Sequence, residues 1–210
     1  MIRTGRLCIL WIIAAAIAVL PAVQEPPIMQ TVRSIYSGAV ALDASFSLHI
    51  LWKVREKEEV QSGHIQLVPG EKFRVELGKS LWVCDGTTVW QVETADKTTQ
   101  VTIQNLSDMD TEMYPSHILS TYLNKYSFHI KDETGSRCSV EYSSAQKNAD
   151  IRLLRCTIDK KTGYILSLVV IDRSGNESTY TFKKTKTGCS LNKKLFSYTA
   201  SQGVKVIDVR

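Results

Sequence analysis

The sequence has few of the residue patterns that mark enzyme active sites. It contains four histidines, and none lies near another, or near a cysteine, at the spacing of metal ligands. It has no glycine-rich phosphate loop and no nucleophile elbow. Asp85 and Asp172 each precede a turn, where an aspartate usually bonds its own backbone. We therefore predict that the protein is not an enzyme and binds neither a metal nor a cofactor.

The chain also lacks a concentrated basic segment. Its formal net charge is +5 over 210 residues, and basic residues are scattered among acidic ones. The densest basic group is Lys183, Lys184, Lys186, Lys193 and Lys194. A solvated face explains such a group better than a nucleic-acid site does. We therefore expect no nucleic acid among the partners.

Only one long apolar run is present, at residues 7–20. It follows Arg3 and Arg6 and precedes Pro21 and Ala22, which is the layout of a secretory signal. A membrane-spanning helix needs about 20 apolar residues, so this run is short for one. We predict a cleaved signal at residues 1–22, one domain at residues 23–210, and a periplasmic location. An uncleaved membrane anchor is the alternative.

Four cysteines lie outside the predicted signal: Cys84, Cys138, Cys156 and Cys189. An oxidising compartment permits disulfides, and four cysteines allow three pairings. A hairpin that turns at residues 146–148 would place Cys138 directly opposite Cys156. Opposed residues have Cβ atoms about 4.5–5.5 Å apart, close to what a disulfide needs. Cys138 and Cys156 are thus a candidate disulfide, with two buried free thiols as the alternative.

Periodicity divides the rest of the chain into one helix and many strands. Residues 28–42 have the apolar spacing of an amphipathic helix. From residue 44 onward the period changes to two, with apolar residues at Phe46, Leu48, Ile50 and Trp52. Residues 73–77 alternate in the same way, and residues 116–123 form a short helical insert. We predict about 11 antiparallel strands, arranged as an unclosed barrel with helices over its opening. A β-sandwich with a filled core is the alternative.

Residues 80–92, SLWVCDGTTVWQV, form a hairpin with a large apolar surface. Trp82 and Trp90 stand on either side of a turn at Asp85 and Gly86. Such a surface either fills an ordinary core or faces something that is not protein.

Several stretches together resemble the family of periplasmic outer-membrane lipoprotein carriers (LolA). They are the join Leu-Asp-Ala-Ser-Phe at 42–46, Pro-Gly-Glu-Lys-Phe-Arg-Val at 69–75, Val-Cys-Asp-Gly-Thr-Thr-Val-Trp at 83–90, Ile-Asp-Arg-Ser-Gly-Asn at 171–176, and the ending Leu-Phe at 195–196 with Gln-Gly-Val-Lys-Val-Ile-Asp at 202–208. Their order and spacing cover nearly the whole predicted domain. The resemblance extends to the chain as a whole, although each motif by itself is weak.

The resemblance implies an unclosed antiparallel β-barrel with a helical lid and a cavity for acyl chains. It implies that the hairpin at 80–92 belongs to the wall of this cavity and that at least one of its two tryptophans lines it. It implies that triacylated lipoproteins are the cargo, that an inner-membrane lipoprotein-releasing ABC transporter supplies them, and that an outer-membrane acceptor receives them. The protein would act as a monomer. Combined with the alternation, it gives these cavity residues: Phe46, Leu48, Ile50, Trp52, Phe73, Val75, Leu77 and Trp90. The lid residues would be Val32, Ile35, Tyr36, Ile118, Leu119 and Tyr122.

One position departs from the family's pattern. The family often has an arginine just before the conserved proline, where it is thought to hydrogen-bond the lid. The residue here is Val68, so the latch is either elsewhere or purely apolar, and we expect the lid to dock by apolar contact alone. Two other functions stay open: a half-barrel lipid-binding sensor of envelope stress, and an enzyme whose residues are too dispersed to recognise.

Overall fold

The computed structural model describes residues 25–37, 40–96, 98–109, 127–143 and 150–210. Three predicted features lie outside the described residues. They are the signal at 1–22, the hairpin turn at 146–148, and the second lid segment at 116–123, with Ile118, Leu119 and Tyr122.

Twelve strands in the described residues form a single sheet. They are β1 (Leu42–Trp52), β2 (Lys57–Val68), β3 (Lys72–Leu77), β4 (Ser80–Asp85), β5 (Thr88–Ala95), β6 (Thr98–Asn105), β7 (Ser127–Glu133), β8 (Arg137–Ser143), β9 (Ile151–Asp159), β10 (Ile165–Asp172), β11 (Glu177–Thr187) and β12 (Lys205–Asp208). The order is β12-β6-β5-β4-β3-β2-β1-β11-β10-β9-β8-β7. All neighbours are antiparallel except β12, which runs parallel to β6. The sheet is open and is not divided into two layers, so the sandwich alternative is excluded.

Helix α1 (Pro27–Tyr36) precedes the sheet. Proline suits the first turn of a helix, because an N–H there would have no partner within the helix. Met29, Val32 and Tyr36 are buried, at the spacing of one helical face. The prediction that the helix reaches residue 42 is wrong, because Leu42 pairs with Leu67 and Thr187 as the first residue of β1. Leu42, the last apolar residue of the predicted helix, is instead the first buried residue in the alternating pattern of β1.

Alternation along β1 creates one buried face. Leu42, Ala44, Phe46 and Leu48 are buried and the residues between them are not. Directly paired residues share a face, so the register extends this face to the other strands. We call it the inner face. α1 packs on it, since residues of α1 and of β1–β3 and β8–β10 form one apolar cluster.

A glycine makes room for an aromatic ring on the inner face. Gly63 lies opposite Phe46, and a Cβ atom at Gly63 would come within 2.3 Å of the ring. The Phe46 ring lies 5.7 Å from that of Tyr180 and 5.9 Å from that of Phe182, between ring centroids. The absent side chain on β2 thus lets the ring of Phe46 lie over the strand.

The sheet curls around α1. The Tyr36 hydroxyl bonds the backbone of Ile165 at the start of β10, and Tyr36 also lines a cleft that includes Asn105 at the end of β6. Seven strand spacings separate β10 from β6. At about 4.8 Å each, those spacings would add to about 34 Å in a flat sheet. A single side chain can be near both strands only because the sheet bends toward the helix.

The other face, which we call the outer face, has a second apolar cluster near β12. Val83, Val92, Val101 and Phe196 are buried but do not belong to the inner cluster. Phe196 belongs to a 3-10 helix, η2 (Lys193–Phe196), which packs on β3 and β4. The Asn192 side chain accepts the backbone N–H of Lys194 and so caps this helix at its start.

The β8–β9 hairpin has a different register from the predicted one. Cys138 pairs with Ile158, and Val140 pairs with Cys156. The two cysteines share the inner face but are diagonal neighbours, two residues out of direct opposition. Both are buried free thiols, and burial raises the pKa of each. The prediction of a Cys138–Cys156 disulfide is therefore wrong.

A polar group ties β1 to β2 on the outer face. His64 Nε2 lies 2.9 Å from Asp43 Oδ1, and Gln66 Nε2 donates to Asp43 Oδ2 at 2.9 Å. Burial raises the pKa of Asp43, but the hydrogen bonds from His64 and Gln66 outweigh it and hold the pKa below its ordinary value of 3.8. The folded protein therefore favours the ionised carboxylate, which stabilises it above that value and ceases to do so as the pH falls.

We expect Asp43→Asn to lower the free energy of unfolding at pH 7 by about 1 kcal/mol, because hydrogen bonds to a charged group are lost. The loss should shrink at pH 3, which is below the ordinary pKa of 3.8, because the carboxylate of the unfolded wild type then binds a proton and the ionised group stabilises the fold less. Urea denaturation at both pH values measures it, with Asp96→Asn at an exposed position as the control. An equal loss at both pH values would contradict this account of the carboxylate.

Candidate functional site

A cleft of about 940 Å³ lies beneath the end of α1, at the end of the sheet where β1 begins. The chain segments around it come from five places: the end of α1, the start of β1, the β2–β3 turn, the β4–β5 turn and the segment after β6. Its lining residues are Ile35, Tyr36, Ser37, Val40, Leu42, Leu67, Val68, Gly70, Glu71, Lys72, Phe73, Gly86, Thr87, Asn105, Leu106 and Ser107. Concave apolar sites of this size are the usual places where proteins bind small ligands.

Two tight turns form one side of the cleft. Gly70 and Gly86 both have positive φ, 86° and 100°, which glycine adopts without steric cost. A Cβ atom at Gly86 would lie 2.6 Å from the carbonyl oxygen of Gly70. Glycine at this position therefore allows the two turns to touch.

Asp85 holds the β4–β5 turn in shape. Its Oδ1 accepts the backbone N–H groups of Thr87 and Thr88 at 2.9 and 2.8 Å. Burial raises the pKa of Asp85, but these donors outweigh it and lower the pKa below its ordinary value. Asp172 accepts the backbone N–H of Asn176 in the same manner, at 2.9 Å. The prediction that both aspartates bond their own backbone is confirmed.

The interior of the cleft is apolar and chemically inert. Leu42, Leu67, Phe73 and Leu106 contribute aliphatic and aromatic surface, while Glu71, Lys72 and Ser107 are exposed at its rim. Cys84, which is paired with Phe73, is buried, and burial raises the pKa of its thiol to about 11. Such a thiol stays protonated and unreactive at neutral pH. The arrangement can hold an apolar chain without reacting with it.

Helix α1 covers the cleft and is held by a directed hydrogen bond. The backbone N–H of Ile165 donates to the Tyr36 hydroxyl at 3.0 Å in a buried position. Burial raises the pKa of Tyr36, so the hydroxyl keeps its proton at neutral pH. The prediction that the lid docks by apolar contact alone is therefore wrong. The bond lies far in sequence from Val68, where the family often has an arginine.

The β9–β10 turn approaches α1 closely. Gly163 has φ of 74°, and a Cβ atom there would lie 2.6 Å from Cγ2 of Thr31 and 3.0 Å from Cδ1 of Ile35. With threonine at position 31, a side chain at position 163 would push the helix away. Only glycine therefore fits at position 163 beneath the docked helix. α1 is thus fixed at its last turn by Tyr36 and along its length by contact with this turn.

The predicted cavity residues fall in four groups. Phe46, Leu48, Phe73 and Val75 are buried on the inner face, and Phe73 alone among the predicted residues of the sheet lines the cleft. Ile50 and Leu77 are partly buried against the inner cluster, and Trp52 lies partly exposed on the inner face at the far end of β1. Trp90 pairs with Val83 and Ile103 on the outer face. The prediction that Trp90 lines the cavity is wrong.

The predicted lid residues that the structure describes all lie on α1. Val32 is buried in the inner cluster, and Ile35 and Tyr36 line the cleft. The sequence reasoning missed Leu67 and Leu106 as cleft residues. Leu67 follows Ile65 at a spacing of two, so alternation along β2 could have identified it. Leu106 begins a 3-10 helix, η1 (Leu106–Asp108), and no periodic pattern marks it.

Two features of the described residues bear on other functions. No helix in the described ranges has the length and apolar character needed to cross a membrane. No group of three or more histidine, cysteine, aspartate or glutamate side chains in those ranges could hold a metal ion.

Comparison with known proteins gives a family match. Residues 37–199 match the family described as outer membrane lipoprotein carrier protein LolA. An outer-membrane lipoprotein carrier protein of Xanthomonas oryzae pv. oryzae (strain MAFF 311018) is 22% identical over 183 residues, which cover 85% of this chain and 87% of that protein.

Two solved structures are similar in fold. An uncharacterised conserved protein from Thermus thermophilus has a TM-score of 0.54 at 13% identity, covering 86% of this chain and 96% of the other. A LolA superfamily protein from Nitrosomonas europaea has a TM-score of 0.46 at 10% identity, covering 81% and 96%.

Proposed function

Because this chain belongs to the LolA family of outer membrane lipoprotein carrier proteins, we propose that it carries lipoproteins across the periplasm by binding their acyl chains. It performs no covalent chemistry on its cargo. The predicted signal at residues 1–22 delivers it to the periplasm, where residues 23–210 act as one carrier domain. The alternative, a half-barrel lipid sensor of envelope stress, would bind the same chemical class of ligand.

The observation that carries this proposal is the apolar cleft beneath α1. Withdrawing each acyl CH₂ group from water contributes about 0.8 kcal/mol. Acyl chains therefore do not leave a membrane for water unless an apolar surface receives them. The lining of Ile35, Leu67, Phe73 and Leu106 is such a surface, and it is continuous with the inner cluster of the sheet at Phe73.

The size of the cleft indicates that α1 moves when cargo binds. Its volume of about 940 Å³ is within the range of about 300–1,000 Å³ that suits one drug-sized ligand. An anchor with three acyl chains is larger than such a ligand, so it needs the inner face that α1 occupies. A carrier must also release what it binds, and a helix that returns to the sheet can compete with the cargo for the same apolar surface.

The proposed partners follow from this role. Triacylated lipoproteins are the cargo, an inner-membrane lipoprotein-releasing ABC transporter supplies them, and an outer-membrane acceptor receives them. In the structure described here, α1 is docked on the inner face.

Mass spectrometry of the protein isolated from the periplasm tests the proposal. We expect triacylated lipoproteins to co-purify with it, and to be lost when the inner-membrane release system is depleted. Recovery of the protein with a stoichiometric regulatory protein and no lipoprotein would contradict the transport role and favour the sensor alternative.

A further inference from the structure

We propose that the hydroxyl of Tyr142 is a specificity group that donates a hydrogen bond to the ester or amide carbonyl of a bound acyl chain. The inference rests on the proposed function and names the polar part of the ligand, which the apolar cleft does not address.

The position of Tyr142 is unusual for a polar atom. It lies on β8, opposite Leu154 of β9 and Phe128 of β7, and so faces the inner side of the sheet. Only 1% of the residue is exposed, and its hydroxyl has no hydrogen-bond partner in the described parts of the chain. Buried polar atoms are nearly always bonded, because an unpaired one costs free energy that an apolar residue would not.

The surroundings of the hydroxyl fit a neutral donor. The ring lies 5.9 Å from that of Phe128, between centroids, and the residue belongs to the inner apolar cluster. Burial raises the pKa of Tyr142, with a further rise from Cys156, so the oxygen keeps its proton. The charges of Arg33 and Glu25 also act on it, and these two residues form an ion pair at α1. The hydroxyl therefore lies near α1.

Displacement of α1 would leave a second donor on the same wall. The N–H of Ile165 donates to the Tyr36 hydroxyl in the docked form, and it would lose this partner when the helix leaves. Leu154, opposite Tyr142, and Ile158, opposite Ile165, are four residues apart on β9, which is about 13 Å along the strand. The wall would then present two buried donors and little else that is polar.

Such a wall suits one chemical class of ligand. An ester carbonyl accepts hydrogen bonds and donates none, and an amide carbonyl accepts them too. An alkyl chain alone offers no acceptor. Each acyl chain of a diacyl or triacyl anchor ends in a carbonyl oxygen. That oxygen can accept a hydrogen bond from a donor on the wall that water does not reach.

The test compares two lipids that differ only in this group. A water-soluble diacyl ester lipid and the matched dialkyl ether lipid, equal in chain length and headgroup, are titrated into the wild-type protein. We expect the ester to bind about fivefold to tenfold more tightly, the ratio that one buried hydrogen bond of about 1–1.4 kcal/mol gives. Tyr142→Phe should bind the ether as the wild type does and the ester about fivefold to tenfold more weakly than the wild type does, so that any preference left in the variant comes from the N–H of Ile165.

A matched variant controls for the loss of a phenol group as such. Tyr164→Phe makes the same change where the hydroxyl already contacts Thr187 Oγ1 at 3.1 Å, and it should keep the preference for the ester. Tyr142→Phe should fold at least as stably as the wild type, since it removes an unpaired buried atom.

The outcomes separate the two proposals. Equal binding of ester and ether by the wild type would overturn the role of Tyr142 and leave acyl-chain binding intact. An undiminished preference in Tyr142→Phe would also overturn it, since the whole preference would then come from another donor. Failure of the wild type to bind either lipid would overturn the proposed function and this inference together.

Discussion

Val40→Glu is expected to weaken acyl-chain binding by tenfold or more while leaving the fold intact. Val40 lines the cleft and is 37% exposed, so the fold of the protein without ligand can accept a carboxylate there. When a chain enters, the carboxylate must lose water without gaining a partner. Burying an unpaired polar group costs about 1–3 kcal/mol in mutational studies, and about 1.4 kcal/mol corresponds to a factor of ten in affinity.

Val54 offers a control of the same residue type. It is 81% exposed, lies in the connection between β1 and β2, and is not part of the cleft lining. Titration with a fluorescent acyl lipid should give the wild-type affinity for Val54→Glu. Equal affinities for the two variants would show that the chains bind elsewhere on the protein.

Tyr36→Phe is expected to loosen α1. The Ile165 N–H loses its acceptor but stays buried while the helix is docked, which costs the docked form about 1–3 kcal/mol. Hydrogen exchange of residues 27–36 should become faster by about tenfold, since 1.4 kcal/mol corresponds to that factor, and acyl lipid should bind more tightly because less work is needed to displace the helix.

The strands serve as the internal reference in that experiment. Amides of β1 and β2 should keep their wild-type exchange rates in Tyr36→Phe. Unchanged exchange of α1 together with unchanged lipid affinity would mean that the hydrogen bond does not hold the helix in place.

Alternation predicted most of the sheet but did not determine which face each residue occupies across a turn. The faces of β1 and β3 follow directly from the period of two, and the pairings of Phe46 and Val75 agree with it. Trp82 and Trp90 lie on either side of the same turn, which is compatible with a shared wall. The β4–β5 hairpin pairs Val83 with Trp90 and Trp82 with Gln91, so the length of the turn places the two tryptophans on opposite faces. Trp82 packs against the inner cluster.

Register within a face is a different problem. The pairing of Cys138 with Ile158 is shifted by two residues from the predicted pairing with Cys156. A shift of two keeps every side chain on its face, so apolar alternation is equally satisfied by both registers. Only the turn distinguishes them, and the disulfide prediction depended on that difference.

The contact that holds α1 could not be predicted from local pattern. Tyr36 and Ile165 are 129 residues apart in sequence, and neither the apolar stripe of the helix nor the alternation of β10 marks the hydroxyl as a polar partner. Val68 stands where the family often has an arginine, and the missing arginine led to the expectation that the lid docks by apolar contact alone. That expectation is wrong for this chain because the hydrogen bond that holds α1 comes from a distant strand, β10.

A reversible lock on α1 tests the central claim most directly. The Cβ atom of a residue at position 163 would lie 3.5 Å from Cβ of Thr31, within the roughly 3.5–4.5 Å that a disulfide spans. The variant Thr31→Cys with Gly163→Cys also removes the Thr31 Cγ2 atom that a side chain at 163 would meet. It is made in a Cys189→Ser background, because Cys189 is the one cysteine in the described residues that is not buried.

Binding of a triacylated peptide is then measured before and after reduction of the same sample. We predict no binding while the helix is locked and near wild-type binding after reduction. Equal binding in the two states would contradict the account, since acyl chains would then enter without displacing α1.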